Sequence, residues 1–399
     1  MHTACAPSGA HGLSAARVEV ADIVRSHAAA LTRAHPLFPE QASALRAIAR
    51  CRTPALGGHM DVCAACGWQQ PAYNSCRNRH CPKCQSLAQA RWVAARSLRI
   101  LPTHYFHVVF TLPAELRAVA RANRVAVFDM LFAAASETLL ELGADPKWID
   151  AQLGITAVLH TWTRQLAFHP HLHCIVTGGG LTSDGSEWRA ARRNFLLPVR
   201  VMGALFRGKM LCKLRRALRR GRLHADAPAL ALTLDSLEQR DWVVYAKRPF
   251  GGADHVIRYL GRYTHRIGIS NQRLVAFDGH QVTFRTKDGK TITLAADEFL
   301  ARFVSHVLPR GFTKIRHYGL LAPANVARRL PLARQRLLER CRRVAYQQAP
   351  ACNPLAALTW QKLLSRLTGI DLGRCPACGA LSVTRRPLED RARAPPQVA

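Results

Sequence analysis

The spacing of apolar residues changes period several times along this chain. Val18, Val20, Ile23 and Val24 recur at roughly helical intervals, predicting a helix that opens at Ser14 with Glu19 near its start. A second helix follows Pro39 and ends near Arg50, and a third runs from Gln85 to about Ile100. The stretch from His104 to Leu112, rich in aromatic and β-branched residues, predicts a strand. Pro113 then opens a long helix to about Leu142, and Ile155–Thr163 predicts a further strand. His171–Val176 predicts another, closed by Gly178, Gly179 and Gly180 because a glycine run does not continue a regular element.

Residues 199–220 predict a basic amphipathic helix with Met202, Leu205, Phe206, Met210, Leu214 and Leu218 turned inward. Trp242–Lys247 reads as a strand and Asp254–His265 as a short helix. Asp278-Gly279 and Asp288-Gly289, each set between alternating residues, are hairpin signals and make Leu274–Leu294 a three-stranded meander. Helices at Asp297–Val307 and Asn325–Val344 enclose a strand at Phe312–Tyr318, and the last twenty residues predict a disordered tail. Strands interspersed with helices, plus an antiparallel meander, give an α+β fold with a central antiparallel sheet rather than a doubly wound parallel one. The expected domains are 1–100 (helical and metal-binding), 101–322 (central sheet) and 323–399 (helical, ending in the tail).

Composition sharpens this picture. Nearly half of the 399 residues are apolar, which excludes general disorder. Apolar runs such as Val125–Ala135 are broken by Asp129 and fall short of the ~18 residues that cross a bilayer. Met1–Ala10 lacks the charged start and apolar stretch of a secretion signal, so a cytoplasmic protein is expected. The 57 Lys and Arg against 25 Asp and Glu leave a formal charge of +32, a self-repulsion that a polyanion relieves. Nucleic acid is the first such partner and an anionic membrane surface the second.

Thirteen cysteines in an intracellular chain point to metal before disulfides. Cys63-Ala-Ala-Cys66 and Cys81-Pro-Lys-Cys84 form two C-x2-C knuckles, each able to give two thiolates to a tetrahedral, structural zinc. Cys51, His59, Cys76 and His80 lie close by in sequence; Cys76 or His80 replaces one of the four, or the extras share a second ion. Cys375-Pro-Ala-Cys378 is half a site, with Cys341 and Cys352 as candidate partners, or else an unligated pair. Arg77 and Arg79 beside the knuckles, and Arg215, Arg216 and Arg219 on the 199–220 helix, are candidate phosphate contacts.

On a strand, residues i and i+2 share a face, so His171 and His173 present two imidazoles together, a pair suited to a divalent ion with open positions. Gln165, His169 and His265 are candidates for a third ligand, and spacing does not choose among them. Tyr259 and Tyr263 stand at i and i+4 of one helix, crowded by Arg258, Arg262 and Arg266. The plain alternatives are strand histidines and an aromatic pair that simply pack. A phenol becomes a useful nucleophile where a metal and Arg stabilise both the phenolate and a phosphate's developing charge.

His171-Leu-His173 followed by Tyr259-x3-Tyr263 resembles the two-tyrosine rolling-circle insertion-sequence transposases of the HUH endonuclease superfamily. Other stretches are similar to the same family and in its order: Cys51-Arg-Thr through His59, Tyr73 through Cys84, Phe110-Thr-Leu-Pro113, Phe168 through Cys174, and Leu308-Pro-Arg-Gly-Phe through Gly319. The likeness runs from about residue 20 to 320 and implies a zinc-binding N-terminal domain ahead of a nuclease domain. It implies further that the histidine pair holds Mg²⁺ or Mn²⁺ on single-stranded DNA at the element's ends. Tyr259 or Tyr263 would attack, leaving a 5′-phosphotyrosine and a free 3′-OH, and the second tyrosine would permit strand transfer into target DNA. A bacterial, nucleoid-associated protein follows from that role; oligomeric state does not. The rivals are a zinc-ribbon nucleic-acid binder without catalysis, and a tyrosine recombinase, which makes a 3′-phosphotyrosine without metal.

Overall fold

The computed structural model describes residues 18–250, 268–286, 288–342 and 371–388, together with positions 255, 256, 261, 359, 362 and 365. Two helices lead, α1 (Val20–Ala34) and α2 (Pro39–Ala49), the second with proline at its first turn where no backbone N–H is needed. A hairpin follows, β1 (Gly58–Cys63) and β2 (Gln69–Tyr73), then α3 (Gln85–Ser97).

The central sheet uses β3 (Tyr105–Thr111), β4 (Gln152–Trp162), β5 (Phe168–Leu181), β7 (Val244–Phe250) and β11 (Ile315–Gly319) in the order β11-β4-β5-β3-β7, every pair antiparallel. Short β6 (Trp188–Ala190) pairs with the far end of β5. One face of this sheet carries Phe106, Val108, Phe110, Ile155, Ala157, Leu159, Leu172, Cys174 and Val176. It is covered by α4 (Arg117–Ala122), α5 (Arg124–Ala144), α6 (Val199–Arg219) and α7 (Ala227–Glu238), whose apolar stripes complete the main core. The α+β reading of the sequence therefore holds, as does the inward set of α6, where Met202, Phe206, Met210 and Leu214 are all fully buried.

The meander β8 (Leu274–Phe277), β9 (Gln281–Arg285) and β10 (Thr291–Ala295) forms its own small sheet. With α8 (Ala296–Ser305) it packs against α1 and α2, not against the main core. Helices α9 (Pro323–Val326) and α10 (Arg329–Arg342) follow, with Leu330, Ala333 and Leu337 of α10 against Leu101, Leu181, Trp188 and Leu320. No described helix is long and apolar enough to cross a membrane.

Four expectations need correction. The long helix after Pro113 breaks at Asn123, whose side-chain amide bonds the backbone of His224 in both directions, at 3.0 and 2.7 Å. The glycine run does not end β5, which continues through it to Leu181. A Cβ at Gly178 would meet the His104 ring at 2.4 Å, and one at Gly180 would meet the Gln152 carbonyl at 2.4 Å, so these glycines let neighbours close in. The helix expected over 325–344 is divided between α9 and α10. Residues 383–387 are no tail: they form β12 (Val383–Pro387), which pairs antiparallel with β1.

Candidate functional site

The second face of the central sheet carries histidines. His171 and His173 alternate with buried Leu172 on β5, and the antiparallel register sets His160 of β4 opposite His171. The three imidazoles each offer a nitrogen within 4.8 Å of the others. Among the described residues His160 is the third member, and neither His169 nor Gln165 joins the group. His169 lies on the same strand but accepts from the Arg117 guanidinium at its Nδ1, 2.9 Å away. Gln165 is exposed in the β4–β5 turn, and His265 lies outside the described residues.

The hydrogen bonds fix how these rings are presented. His171 Nδ1 lies 2.7 Å from the His169 carbonyl oxygen, which can only accept, so this nitrogen carries the proton and Nε2 is bare. Burial pushes the His171 pKa down to about 4, keeping the ring neutral at physiological pH. His171 Nε2 and His173 Nε2 stand 3.1 Å apart, close to the ~3 Å between neighbouring corners of a metal shell with bonds near 2.1 Å. His107 of β3 backs His173, Nε2 to Nδ1 at 2.8 Å. Trp162 stacks on His160 at 4.6 Å between ring centres. The donor set, oriented from behind, fits a divalent ion.

Farther along the same face, Val256 is buried with Ile175, Tyr105 and Ile100, and Trp92 of α3 packs on the group. Gly261 is helical and buried, and a Cβ there would meet Val93 of α3 at 3.1 Å. The close approach that this glycine signals is thus to α3. Tyr259, Tyr263, Arg258, Arg262 and Arg266 lie outside the described residues.

The cysteines divide differently from their spacing. Cys63, Cys66, Cys81 and Cys84 do not share a site; Cys51, Cys76, Cys81 and Cys84 gather in one cluster, and Cys63, Cys66, Cys375 and Cys378 in another. The reason is the β1–β2 hairpin. Its tip carries the first knuckle, while Cys51 precedes its base and Cys76 follows it. Five residues of strand at ~3.3 Å each keep tip and base some 17 Å apart. In the base cluster Cys84 Sγ lies 3.4 Å from Cys51 Sγ and 3.6 Å from Cys76 Sγ. These separations approach the ~3.8 Å edge of a tetrahedron with 2.3 Å zinc–sulfur bonds, and far exceed a disulfide.

Cys76 thus joins the site as a fourth ligand candidate, whereas His80 does not. Its Nε2 accepts from the Leu308 backbone N–H at 3.3 Å, and burial holds its pKa down to about 3. His59 faces Asp61 on β1, 3.3 Å away. Arg79 is likewise not a free cation: its guanidinium donates to the Phe312 and Pro309 carbonyls at 2.6 and 2.7 Å. Together Arg79 and His80 fasten the cysteine-rich segment onto the 308–312 loop.

Arg77 is exposed, as are Arg216 and Arg219 on α6. Arg215 instead bridges α6 to α7 through Asp235 and Glu238, at 2.6 and 2.7 Å. Reasoning from sequence missed His160 and His107, and read Cys375–Cys378 as half a site without pairing it with Cys63 and Cys66. A signal for His160 existed, since a hairpin turning at 163–167 sets it opposite His171.

The profile of the Y2_Tnp family, described as "Putative transposase", matches residues 154–329, and that of Zn_Tnp_IS91, "Transposase zinc-binding domain", matches residues 23–112. "Putative transposase y4qJ" of Sinorhizobium fredii is 42% identical over 395 residues, 95% of this chain and 97% of that protein. "Transposase for insertion sequence element IS801" of Pseudomonas savastanoi pv. phaseolicola is 28% identical, covering 84% of this chain and 80% of its own length. Among solved structures, the conjugative relaxase TrwC in complex with oriT DNA, in its metal-bound form, shares 14% identity over 67% of this chain and 73% of that one, with a TM-score of 0.24. The cysteine clusters agree with the zinc-binding profile, and on the full-length likeness and both profiles the chain belongs to the Y2_Tnp transposases with an N-terminal transposase zinc-binding domain.

Proposed function

We propose that this DNA transposase cuts and rejoins single-stranded DNA at the ends of its element through a tyrosine–DNA intermediate. One observation carries the reading: Val256, three residues before Tyr259, is buried against Ile175, two residues along β5 from His173. That contact places Val256 over the sheet face that carries the imidazoles, which supports assigning the nearby phenols to the same site.

In this reading His160, His171 and His173 hold a divalent ion, Mg²⁺ or Mn²⁺. When bound, the ion polarises the scissile phosphate and neutralises charge on its oxygens. Tyr259 or Tyr263 attacks phosphorus as the P–O3′ bond breaks. The phenol loses its proton, the departing 3′ oxygen gains one, and a 5′-phosphotyrosine remains. Attack by the 3′-OH of a second strand reverses the chemistry and transfers the strand, with the other tyrosine available for a second cut. Arg258, Arg262 and Arg266 supply cationic hydrogen bonds to phosphate. Cys51, Cys76, Cys81 and Cys84 would hold the zinc of the N-terminal domain, and four protein ligands would leave no open position, so its work would be folding rather than catalysis.

The test is a denaturing gel with labelled single strands from the element's ends, run with Mg²⁺, Mn²⁺ or EDTA. The native chain should give a metal-dependent covalent adduct on the 5′ phosphate, absent from the Tyr259→Phe/Tyr263→Phe double variant. A 3′ adduct that survives EDTA would move the protein to the recombinases, and tight binding without any adduct would leave a DNA binder.

A further inference from the structure

We infer that the chain binds a second structural zinc ion, held half by the N-terminal hairpin and half by the C-terminal segment. The ligands are Cys63, Cys66, Cys375 and Cys378, whose sulfurs all lie within 4.8 Å of one another. The second pair falls outside the 23–112 stretch matched by the zinc-binding profile.

Two matching knuckles build the site. Cys63-Ala-Ala-Cys66-Gly67 and Cys375-Pro-Ala-Cys378-Gly379 share a spacing and a backbone. In the first, the Gly67 N–H donates to the Cys63 carbonyl at 3.0 Å; in the second, the Gly379 N–H donates to the Cys375 carbonyl at 2.9 Å. Both glycines take a left-handed conformation, φ +74° and +77°, which a side chain would resist. Such turns aim both thiolates of a knuckle to one side. The two turns then meet face to face, with Cys63 Sγ 3.7 Å from Cys378 Sγ and Cys66 Sγ 3.7 Å from Cys375 Sγ.

The strands behind the knuckles agree. β12 pairs with β1 over five residues, from His59 opposite Pro387 to Cys63 opposite Val383, making the three-stranded sheet β12-β1-β2. The Ala64 N–H donates to the Ser382 carbonyl at 3.1 Å, and Arg385 reaches Asp61 at 3.3 Å. Apolar contact is scant here, since every residue of β12 is at least partly exposed. Four close thiols and an exposed strand make a poor core by themselves. A tetrahedral ion supplies the missing cohesion, as it does in small domains that fold only with metal. Soft thiolates at this geometry select zinc over Mg²⁺ or Mn²⁺.

Native mass spectrometry of the full chain, purified under reducing conditions, reads the metal directly and needs no DNA, so it is independent of the tyrosine chemistry. The native chain should carry two zinc ions. Cys375→Ser/Cys378→Ser should carry one, Cys63→Ser/Cys66→Ser should also carry one, and the combined fourfold variant should still carry one, because both pairs empty the same site. A single ion on the native chain would overturn the inference, as would an unchanged count in the C-terminal variant or disulfides at these four positions. Should the variants fail to fold, Co²⁺ titration of the native chain decides. Thiolate-to-cobalt absorption rising to two equivalents supports the site, and saturation at one overturns it.

Discussion

His107 Nε2 lies 2.8 Å from His173 Nδ1, and this contact sets which nitrogen of His173 faces the metal position. For His173 Nε2 to be a bare ligand, its Nδ1 must hold the proton and donate to His107. Burial, with Lys247 nearby, pushes the His107 pKa down to about 3, so His107 stays neutral and can accept. His107→Ala should weaken Mn²⁺ binding by roughly 10–100-fold, the usual effect of losing a group that orients a ligand. His107→Gln, which keeps an acceptor, should recover much of it. Calorimetric Mn²⁺ titration of the three proteins checks this; equal affinities would remove His107 from the site.

His160 predicts a sharper loss. With one of three imidazoles gone, His160→Ala should abolish measurable divalent binding at the sheet face while leaving the zinc content unchanged. Retained Mn²⁺ affinity, or a lost zinc, would each contradict the assignment of His160 to this face.

The arginines separate by salt dependence. Arg216 and Arg219 are exposed, and each substituted by Ala should lower the slope of log K against log [salt] for DNA binding by about one. Arg79→Ala should leave that slope alone, because its guanidinium is engaged with the Phe312 and Pro309 carbonyls. It should instead reduce folding stability by about 1.5–3 kcal/mol, the range for hydrogen bonds to a charged group. Filter binding across a salt series and urea unfolding give the two readouts.

Acid should loosen the packing of α8. Burial holds the His306 pKa at about 4 between the Leu166 carbonyl and Thr161, against about 6.5 in an unfolded chain. Between those values the unfolded chain binds a proton that the folded one refuses. Its contribution is therefore complete above pH 6.5 and falls away as pH drops toward 4, by about 3 kcal/mol over the window. His306→Gln, which cannot titrate, should show a flatter decline in urea midpoint over that range.

Two glycines should respond oppositely to alanine. At Gly178 a new Cβ meets the His104 ring at 2.4 Å, so Gly178→Ala should destabilise by about 1–3 kcal/mol. At Gly208, exposed on α6 with open space around it, Gly208→Ala should stabilise by about 0.5–1 kcal/mol. Urea unfolding of the pair separates crowding from helix propensity.

Local patterns in the sequence carried the elements. Period-2 alternation around Leu172 located the histidine face, Asp-Gly pairs located the meander, and the stripe from Met202 to Leu214 located α6. Information that depends on distant pairing was hidden. His160 is recognisable only with the β4–β5 register in hand, since nothing in its own surroundings marks it as a ligand. The knuckle at Cys81 is nearer in sequence to Cys63 than to Cys51, and only the length of the β1–β2 hairpin reverses that order in space. Gly178–Gly180 read as a break because glycine more often ends a strand than admits a neighbour. Arg79 and Arg215 were counted as free charge, for the carbonyls and carboxylates that hold them lie on other elements.

The pairing of β12 with β1 also orders events during synthesis. Cys63 and Cys378 are 315 positions apart. At synthesis rates of about 5–20 residues per second, the first knuckle leaves the ribosome roughly 15–60 s before the second exists. Throughout that interval the hairpin has an open edge and two uncommitted thiols, while the whole central sheet is made. A chain whose translation stops anywhere before Cys375 cannot close this ribbon, however complete its histidine face. The strand that completes the N-terminal hairpin is thus made only after the central sheet has been translated.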